Sequence, residues 1–263
     1  MKIQSQILSF ILLLIITCSL IYIIDWKRAL DVFASAKLQL VLAGVVLTFF
    51  WPLLGAFRWK KVLVALGYDV KLSLAFRTVM LAFSANLFAP AKSGDFVKAL
   101  VMGDIADKGK LTGGIIAERI GDLLILGVFT SFGGLILNRY FEAGIGIILI
   151  ITVLGFVISS CVFNLKLEDP RVRKIWQIIR CGSELWRDKP KHMLQAIALS
   201  GINWLLASIQ VWFLFSALGT NISLLTVIAL FPITIVVSLL PLTPGGFGIR
   251  ESAFVMLFLP YAE

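Results

Sequence analysis

The sequence predicts an all-α, polytopic integral membrane protein, and three observations support this fold class. Of the 263 residues, 59% are hydrophobic and 15% are charged, whereas soluble domains contain about 45–50% apolar and about 25% charged residues. The mean hydropathy is +0.97. Several apolar runs reach about 20 residues, which is the length that an α-helix needs to cross a hydrocarbon core about 30 Å thick. So many spans leave no room for a soluble catalytic domain.

About five runs are expected to form full transmembrane helices, and two further runs are expected to be broken or re-entrant. The run 7–24 follows the basic Lys2 without a small-residue cleavage site, so we expect a retained first helix and not a signal peptide. The two broken runs contain proline and glycine, which interrupt helices. The expected full spans are residues 7–24, 38–57, 111–137, 144–165 and 193–218, and the broken runs are 72–95 and 224–260.

The distribution of lysine and arginine predicts the orientation, because basic loops stay in the cytoplasm. The stretch 166–192 is strongly basic and is expected to be a cytoplasmic loop, as is 58–71, which places the N-terminus inside. Counting the crossings then puts both flanks of 72–95 on the cytoplasmic side, so this run is expected to enter the membrane and return. The run 224–260 enters from the opposite face.

The two broken runs share a short pattern. In PAKSGDF and PLTPGGF, Pro90 matches Pro241, Gly94 matches Gly245, and a phenylalanine follows two residues later in both. Broken helices that enter from opposite sides are typical of inverted-repeat transporters, whose site lies where the helices break. Three matched positions also arise by chance, so the sequence indicates only a possible inverted repeat.

Charged residues within the run 111–137 are the strongest functional candidates. A charge at the bilayer centre costs at least about 2.5–3.5 kcal/mol and normally faces a cavity or a partner. Asp122 lies about 16 Å along a helix that starts near Leu111, close to the midplane. Glu118 shares its helix face, and Arg119 can pair with Asp122. Arg250 is the expected partner from the second broken run, with Lys98 and Arg77 behind it.

Two interpretations without an intramembrane site stay open. In the first, the Glu118–Asp122 block lies among lipid headgroups and the helix begins only at Ile120. In the second, Arg250 and Glu251 are an interfacial anchor. The cluster Gly245-Gly246-Phe247-Gly248 lacks the spacing of a dinucleotide fingerprint. It is either a nest of backbone N–H groups for an anion such as phosphate, or a plain helix break.

The remaining composition argues against other classes. Three cysteines occur singly and there is one histidine, so no metal site and no cofactor are expected. The net charge of +9 is attributed to basic loops that face anionic lipid, and no nucleic-acid partner is expected.

Three blocks of the sequence form a recognisable pattern: Asn86, Pro90, Gly94-Asp95 and Lys98; Glu118-Arg119-x-x-Asp122; and Leu240-Pro241-x-Thr243-Pro244-Gly245-Gly246-x-Gly248-x-Arg250-Glu251. This pattern resembles the lysylphosphatidylglycerol synthase transmembrane region family, also called the flippase-like domain of the multiple peptide resistance factor. The resemblance covers about residues 4–258, although Asp95 and Lys98 stand where the family more often has Glu and Arg.

The resemblance implies a multi-pass protein of a bacterial or archaeal cytoplasmic membrane in which this domain moves a headgroup between leaflets. Related members accompany surface-polysaccharide or lipid-glycosylation pathways. The family's aminoacyl-transferase activity belongs to a following soluble domain, so lysyl transfer is not expected here. The chain is expected to be a stand-alone, C-terminally short member, since it ends soon after Arg250-Glu251.

The leading hypothesis is a translocase for a lipid or lipid-linked headgroup with a polar intramembrane cavity. Its cations would receive a phosphate, and its carboxylates would balance them or hold a cationic headgroup. The expected partners are a membrane phospholipid or lipid-linked sugar, with a second copy of the chain or a separate synthase or glycosyltransferase as further possibilities. No residue is assigned a catalytic role, and the expected substrate-binding residues are Arg77, Asn86, Asp95, Lys98, Glu118, Arg119, Asp122, Thr243, Gly245, Gly246, Arg250 and Glu251.

Two alternatives belong to other functional classes. One is a membrane-embedded transferase that acts on lipid headgroups with Glu118 or Asp122 as general base; the sequence shows no donor-binding feature for it. The other is a non-catalytic membrane partner of a glycosyltransferase or lipid synthase, anchored through the basic stretch 166–192.

Overall fold

The computed structural model describes residues 25–163 and 168–261, together with residues 18, 19 and 22. This part of the chain is helical and contains no β-strand. The expected span 7–24 lies almost wholly outside the described residues. The helices are α1 (Trp26–Ala34), α2 (Leu38–Thr48), α3 (Phe50–Ala65), α4 (Leu72–Asn86), α5 (Val97–Val101), α6 (Lys108–Ile136), α7 (Tyr140–Val162), α8 (Pro170–Asp188), α9 (Pro190–Ala217), α10 (Leu224–Val237) and α11 (Ile249–Phe258), and short 3₁₀ segments cover Pro90–Phe96, Pro244–Gly246 and Leu259–Tyr261.

Four helices of the described part are long and apolar enough to cross a bilayer, which confirms the all-α polytopic fold class. Three of them, α6, α7 and α9, overlap the expected runs 111–137, 144–165 and 193–218. The fourth is Leu38–Ala65, which combines α2 and α3. Its local break at Phe49 follows from Pro52, which has no N–H group to donate to the carbonyl of Thr48.

The helix α3 corrects the expected end of the second span. The chain was expected to leave the membrane at residue 57 and to continue as a basic loop, but the helix α3 continues to Ala65. Arg58 therefore lies on a helix and is buried. Most of the expected loop 166–192 is also helical, since α8 begins at Pro170, where Asp169 accepts a hydrogen bond from the backbone N–H of Arg171 at 2.7 Å.

Helices α6 and α7 approach each other closely through small residues. A Cβ atom on Gly146 would lie 2.6 Å from the backbone oxygen of Gly127 and 2.5 Å from Oγ of Ser131. Helices in membranes associate through such small residues, because lipid tails provide no hydrophobic drive to pair. The hairpin α6–α7 is therefore a rigid support for the charged residues on α6.

The first broken segment, α4 to α5, begins and ends at the same end of the bundle. The hydroxyl of Tyr68, before α4, accepts a hydrogen bond from the backbone N–H of Asp107, after α5, at 3.1 Å. Val70 and Met102 also pack in one apolar cluster, together with Leu111 at the start of α6.

The second broken segment, α10 to α11, begins and ends at the opposite end of the bundle. Tyr261, after α11, accepts a hydrogen bond from Arg139 at 2.5 Å, and Arg139 lies in the turn between α6 and α7. Phe254 of α11 stacks on Phe215 near the end of α9 at 5.6 Å between ring centroids. The two broken segments thus enter the bundle from opposite ends.

The breaks of the two segments meet inside the bundle. The backbone N–H of Gly245 donates a hydrogen bond to the carbonyl of Ala89 at 3.2 Å. Each break contains two successive residues with left-handed backbone, Ala91–Lys92 with φ of 53° and 55° and Gly245–Gly246 with φ of 61° and 72°.

The left-handed pairs correct the correspondence between the breaks. Both pairs directly follow a proline, Pro90 in the first break and Pro244 in the second. Backbone geometry therefore aligns Pro90 with Pro244 and Gly94 with Gly248, and not with Pro241 and Gly245. The sequence match was shifted because the second break contains two prolines, and only the backbone shows which one precedes the turn.

We expect Gly146→Val to destabilise the protein by about 1–3 kcal/mol, because the new side chain forces α6 and α7 apart. The matched control is Gly155→Val on the same helix, where an added Cβ meets nothing within 4 Å. Thermal unfolding of the purified protein in detergent measures both variants. Equal melting temperatures for the two would contradict the close contact.

We expect single cysteines at Asp69 and Asp104 to react from the same side of a sealed vesicle, and a cysteine at Asn221 from the other side. All three positions are exposed, and the variants are made after Cys18, Cys161 and Cys181 are replaced by alanine. A membrane-impermeant maleimide reports the sidedness. Labelling of Asp69→Cys and Asp104→Cys from opposite sides would mean that the first broken segment crosses the membrane.

Candidate functional site

A cavity of about 440 Å³ lies where the two breaks meet. Its walls come from α3, α4, α5, α6, α9, α10 and α11 and from both breaks. The lining combines apolar and charged side chains. The apolar side chains include Trp51, Val79, Phe83, Leu87, Phe231 and Phe247, and the charged ones are Arg58, Lys92, Asp95, Lys98, Arg119, Asp122 and Arg250.

Several charged residues of the cavity form ion pairs around Arg58. Its Nε lies 3.1 Å from Oε1 of Glu118, and its Nη1 lies 2.6 Å from Oδ1 of Asp122. Lys98 of α5 pairs with the second carboxylate oxygen of Glu118. Glu118, Asp122 and Lys98 are each no more than 3% exposed. Because buried charges are costly unless paired, these contacts fix α3, α5 and α6 against one another.

Arg119 continues the ion pairs towards the first break. Its two terminal nitrogens lie 3.1 Å from Oδ2 of Asp122 and 3.0 Å from Oδ2 of Asp95. The amide nitrogen of Asn86, at the end of α4, donates to Oδ1 of Asp95 at 3.0 Å. Charges therefore alternate in sign along one chain of contacts, which we call the ion chain: Lys98, Glu118, Arg58, Asp122, Arg119, Asp95.

Helix α9 supports the centre of the ion chain with neutral groups. Ser200 accepts a hydrogen bond from Nη1 of Arg58 at 2.9 Å and donates one to Oδ1 of Asp122 at 2.8 Å. The indole N–H of Trp204, one helical turn later, donates to the same oxygen at 3.1 Å. Asp122 stands midway along α6, so this network lies at the centre of a spanning helix. The interpretation that the helix begins at Ile120 is wrong, because α6 begins at Lys108.

Lys92 differs from the other cations of the cavity. Its Nζ lies 5.1 Å from the centroid of the Trp204 ring, in a cation–π contact. Among the residues that the structure describes, it is the cavity-lining cation with no carboxylate within 4 Å. Its left-handed backbone costs on the order of 1–3 kcal/mol in a residue with a side chain, and such strain clusters at ligand sites.

Most of the expected site residues come together at this cavity. Glu118 lies behind the lining in the ion chain, and Thr243 is fully buried with its hydroxyl lacking a hydrogen-bond partner. Arg77 does not line the cavity; it lies on the exposed face of α4. The expected residues that do line the cavity are Asn86, Asp95, Lys98, Arg119, Asp122, Gly245 and Arg250, and Gly246 lies in the second break beside Ser238.

The structure corrects the expected partner of Glu118 and Asp122. Arg250 lies 2.7 Å from Glu251 and is half exposed. Glu251 in turn accepts a hydrogen bond from the backbone N–H of Gly248 at 2.7 Å and so caps α11. Arg58 occupies the place that was expected for Arg250.

Sequence reasoning missed Arg58, Lys92 and Trp204. Arg58 was placed in a basic loop because it follows an apolar run, and Lys92 lay in the broken run 72–95 without an assigned role. A helical projection of α9 would have indicated Trp204, since Ser200, Asn203 and Trp204 share one helix face within a run that otherwise looks apolar all round.

We expect Arg58→Met to destabilise the protein by about 3–5 kcal/mol, because it leaves Glu118 and Asp122 buried with too few cations. Adding Asp122→Asn to this variant should restore part of the stability. The control is Lys60→Met on the same helix, whose Nζ lies 3.8 Å from the exposed Asp69. Thermal unfolding measures all three, and an Arg58→Met variant as stable as Lys60→Met would refute the central role of Arg58.

Comparison with known proteins gives matches over nearly the whole chain. The family model described as "Lysylphosphatidylglycerol synthase TM region" matches residues 6–262. UPF0104 membrane proteins of two archaea are similar: one of Methanothermobacter thermautotrophicus is 24% identical over 91% of this chain and 81% of its own length. One of Methanocaldococcus jannaschii is 23% identical over 97% of this chain and 84% of its own length.

A relative with a different name is the glycosyltransferase AglD of Haloferax volcanii, which is 24% identical over 91% of this chain and 46% of its own length. The residues that carried the resemblance in sequence are those that the structure gathers at the cavity and its two breaks. With the family model covering residues 6–262, the chain belongs to the lysylphosphatidylglycerol synthase transmembrane region family.

Proposed function

We propose that the protein binds the anionic headgroup of a membrane lipid in the cavity and moves it between the two leaflets. The observation that carries this proposal is the contact between two broken segments that enter from opposite ends of the bundle. Broken helices that meet at mid-depth are the usual site of substrate binding in transporters. A charged cavity at that place offers a polar path through the hydrocarbon region.

The apolar residues of the cavity support a lipid as the ligand. Phe83, Leu87 and Phe247 line the cavity and are also exposed. In a membrane, these exposed side chains face the lipid tails. A headgroup that enters here can leave its hydrocarbon chains in the bilayer, so the protein has to shield only the polar part.

The charges of the cavity support an anion and not a cation. The carboxylates of Asp95, Glu118 and Asp122 all lie in ion pairs with cations. Nε of Arg119 is buried without a hydrogen-bond partner, as are the neighbouring acceptors Oδ1 of Asn86 and Oδ2 of Asp95. Lys92 also keeps its donors free for a ligand. Charged N–H donors of this kind bind phosphate oxygens strongly.

The comparisons are compatible with this proposal. The family description names a synthase of a phospholipid, and one relative is named a glycosyltransferase. A lipid headgroup as the ligand agrees with the first of these names. We also infer that the N-terminus faces the cytoplasm and that the first broken segment is re-entrant from that side, which rests on the basic residues around its two ends.

No specific observation favours the transferase alternative. A general base must be free to accept a proton within hydrogen-bond reach of its substrate. Glu118 and Asp122 each form ion pairs with two cations, so neither carboxylate is free to accept a proton from a substrate.

We expect the purified protein to accelerate the exchange of a fluorescent phosphatidylglycerol between the leaflets of phosphatidylcholine vesicles. Asp122→Asn keeps the size of the side chain but breaks the ion chain, so it should slow this exchange by at least about tenfold, equivalent to about 1.4 kcal/mol in the barrier. Quenching of the outer-leaflet dye with dithionite measures the rate.

The control for this experiment is Lys60→Met, which lies outside the cavity and should keep the wild-type rate. Size-exclusion chromatography and thermal unfolding establish that each variant is folded. An exchange rate in wild-type vesicles no higher than in protein-free vesicles would sink the proposed function.

A further inference from the structure

We propose that the cavity selects a headgroup with a single negative charge, and that Lys92 sets this selectivity. This proposal rests on the proposed function. The chemical class that fits is a lipid phosphodiester whose substituent carries no charge. Phosphatidylglycerol and a hexosyl phosphate linked to an isoprenoid chain both share this chemistry.

The charged groups at the cavity sum to one positive charge. The ion chain contains three cations and three carboxylates in strict alternation and is therefore neutral. Arg250 and Glu251 form a second neutral pair at the rim. Within the described part of the chain, Lys92 remains as a single uncompensated positive charge that lines the cavity.

The energy of a buried charge favours a ligand that neutralises Lys92. An uncompensated charge in a low-dielectric region is unfavourable, and the cost disappears when a ligand neutralises it. One phosphodiester brings one negative charge and makes the occupied cavity neutral. A phosphomonoester carries about −1.5 to −2 at neutral pH and leaves excess negative charge. A zwitterionic headgroup leaves the positive charge of Lys92 uncompensated.

The anion binds at Lys92 and Arg119. The Nζ of Lys92 rests on the face of Trp204, a contact worth about 0.5–2 kcal/mol. A charge-assisted hydrogen bond to a phosphate oxygen is stronger, so Lys92 can exchange the ring for the ligand. Arg119 lines the same cavity, and its buried Nε has no hydrogen-bond partner. Two cationic donors in one lining suit the two free oxygens of one phosphodiester.

The test compares lipids that share acyl chains and differ in headgroup charge. Phosphatidylglycerol, phosphatidic acid and phosphatidylethanolamine, each with a fluorescent acyl chain, are followed in proteoliposomes made of phosphatidylcholine. A labelled hexosyl-phosphate isoprenoid lipid forms a fourth arm. In parallel, the purified protein is equilibrated with an equimolar mixture of the unlabelled lipids, and the retained lipids are quantified by mass spectrometry.

We expect the wild-type protein to prefer at least one of the two monoanionic lipids over phosphatidic acid and phosphatidylethanolamine by about tenfold, both in rate and in retention. Lys92→Met should remove this preference, so that phosphatidylethanolamine is handled at least as well as phosphatidylglycerol. Lys92→Arg, which keeps the charge, should keep the wild-type ratio whatever its absolute rate. Because the retention ratio is taken within one sample, partial unfolding of a variant does not alter it.

Two outcomes would overturn the inference: a wild-type preference for phosphatidic acid or phosphatidylethanolamine, or a Lys92→Met variant that keeps the wild-type ratio. These outcomes leave translocation itself untouched. Conversely, selective retention of a monoanionic lipid without any translocation would refute the proposed function and support the charge selectivity. The two proposals therefore fail separately.

Discussion

The contact between Arg58 and Asp122 is the interaction on which the rest of the structure depends. It joins α3 to α6 at the middle of the bundle, and Ser200 of α9 hydrogen-bonds to both side chains. Each carboxylate of the ion chain would cost several kcal/mol if it lost its cation. The relative positions of α3, α5, α6 and α9 are therefore coupled, and none of these helices can shift without exposing an unpaired charge to an apolar environment.

The two breaks depend on the same constraint. Backbone groups that a broken helix leaves without partners are tolerated at membrane depth only where protein or a polar cavity satisfies them. The hydrogen bond from the backbone N–H of Gly245 to the carbonyl of Ala89 satisfies one backbone group in each break. Asp95, which ends the ion chain, binds Asn86 at the end of α4. The ion chain and the two breaks therefore form one unit, and a movement of either break changes the environment of the cavity.

The sequence was sufficient for the fold class and for much of the site, and its failures have a common physical cause. Hydropathy predicts spans, and the high cost of Glu118 and Asp122 in an apolar run identifies them as functional candidates. The partner of a buried charge is set by tertiary packing, so a pattern along the chain could not distinguish Arg58 from Arg250 or Arg77. Arg58 was assigned to a loop because a charge after an apolar run resembles the end of a span, whereas α3 continues to Ala65.

The charge balance also bears on how a headgroup can pass the centre of the membrane. Moving one elementary charge through a potential of 100 mV costs or releases about 2.3 kcal/mol, in addition to the cost of desolvating it. In the proposed mechanism, Lys92 cancels the charge of the phosphodiester inside the cavity, and the neutral ion chain adds none. The barrier for the headgroup to pass the centre of the membrane is then lower inside the cavity than in the lipid bilayer. The barrier that remains lies in separating Lys92 from Trp204 and in rearranging the two breaks, of which the first already holds Ala91 and Lys92 in strained left-handed backbone.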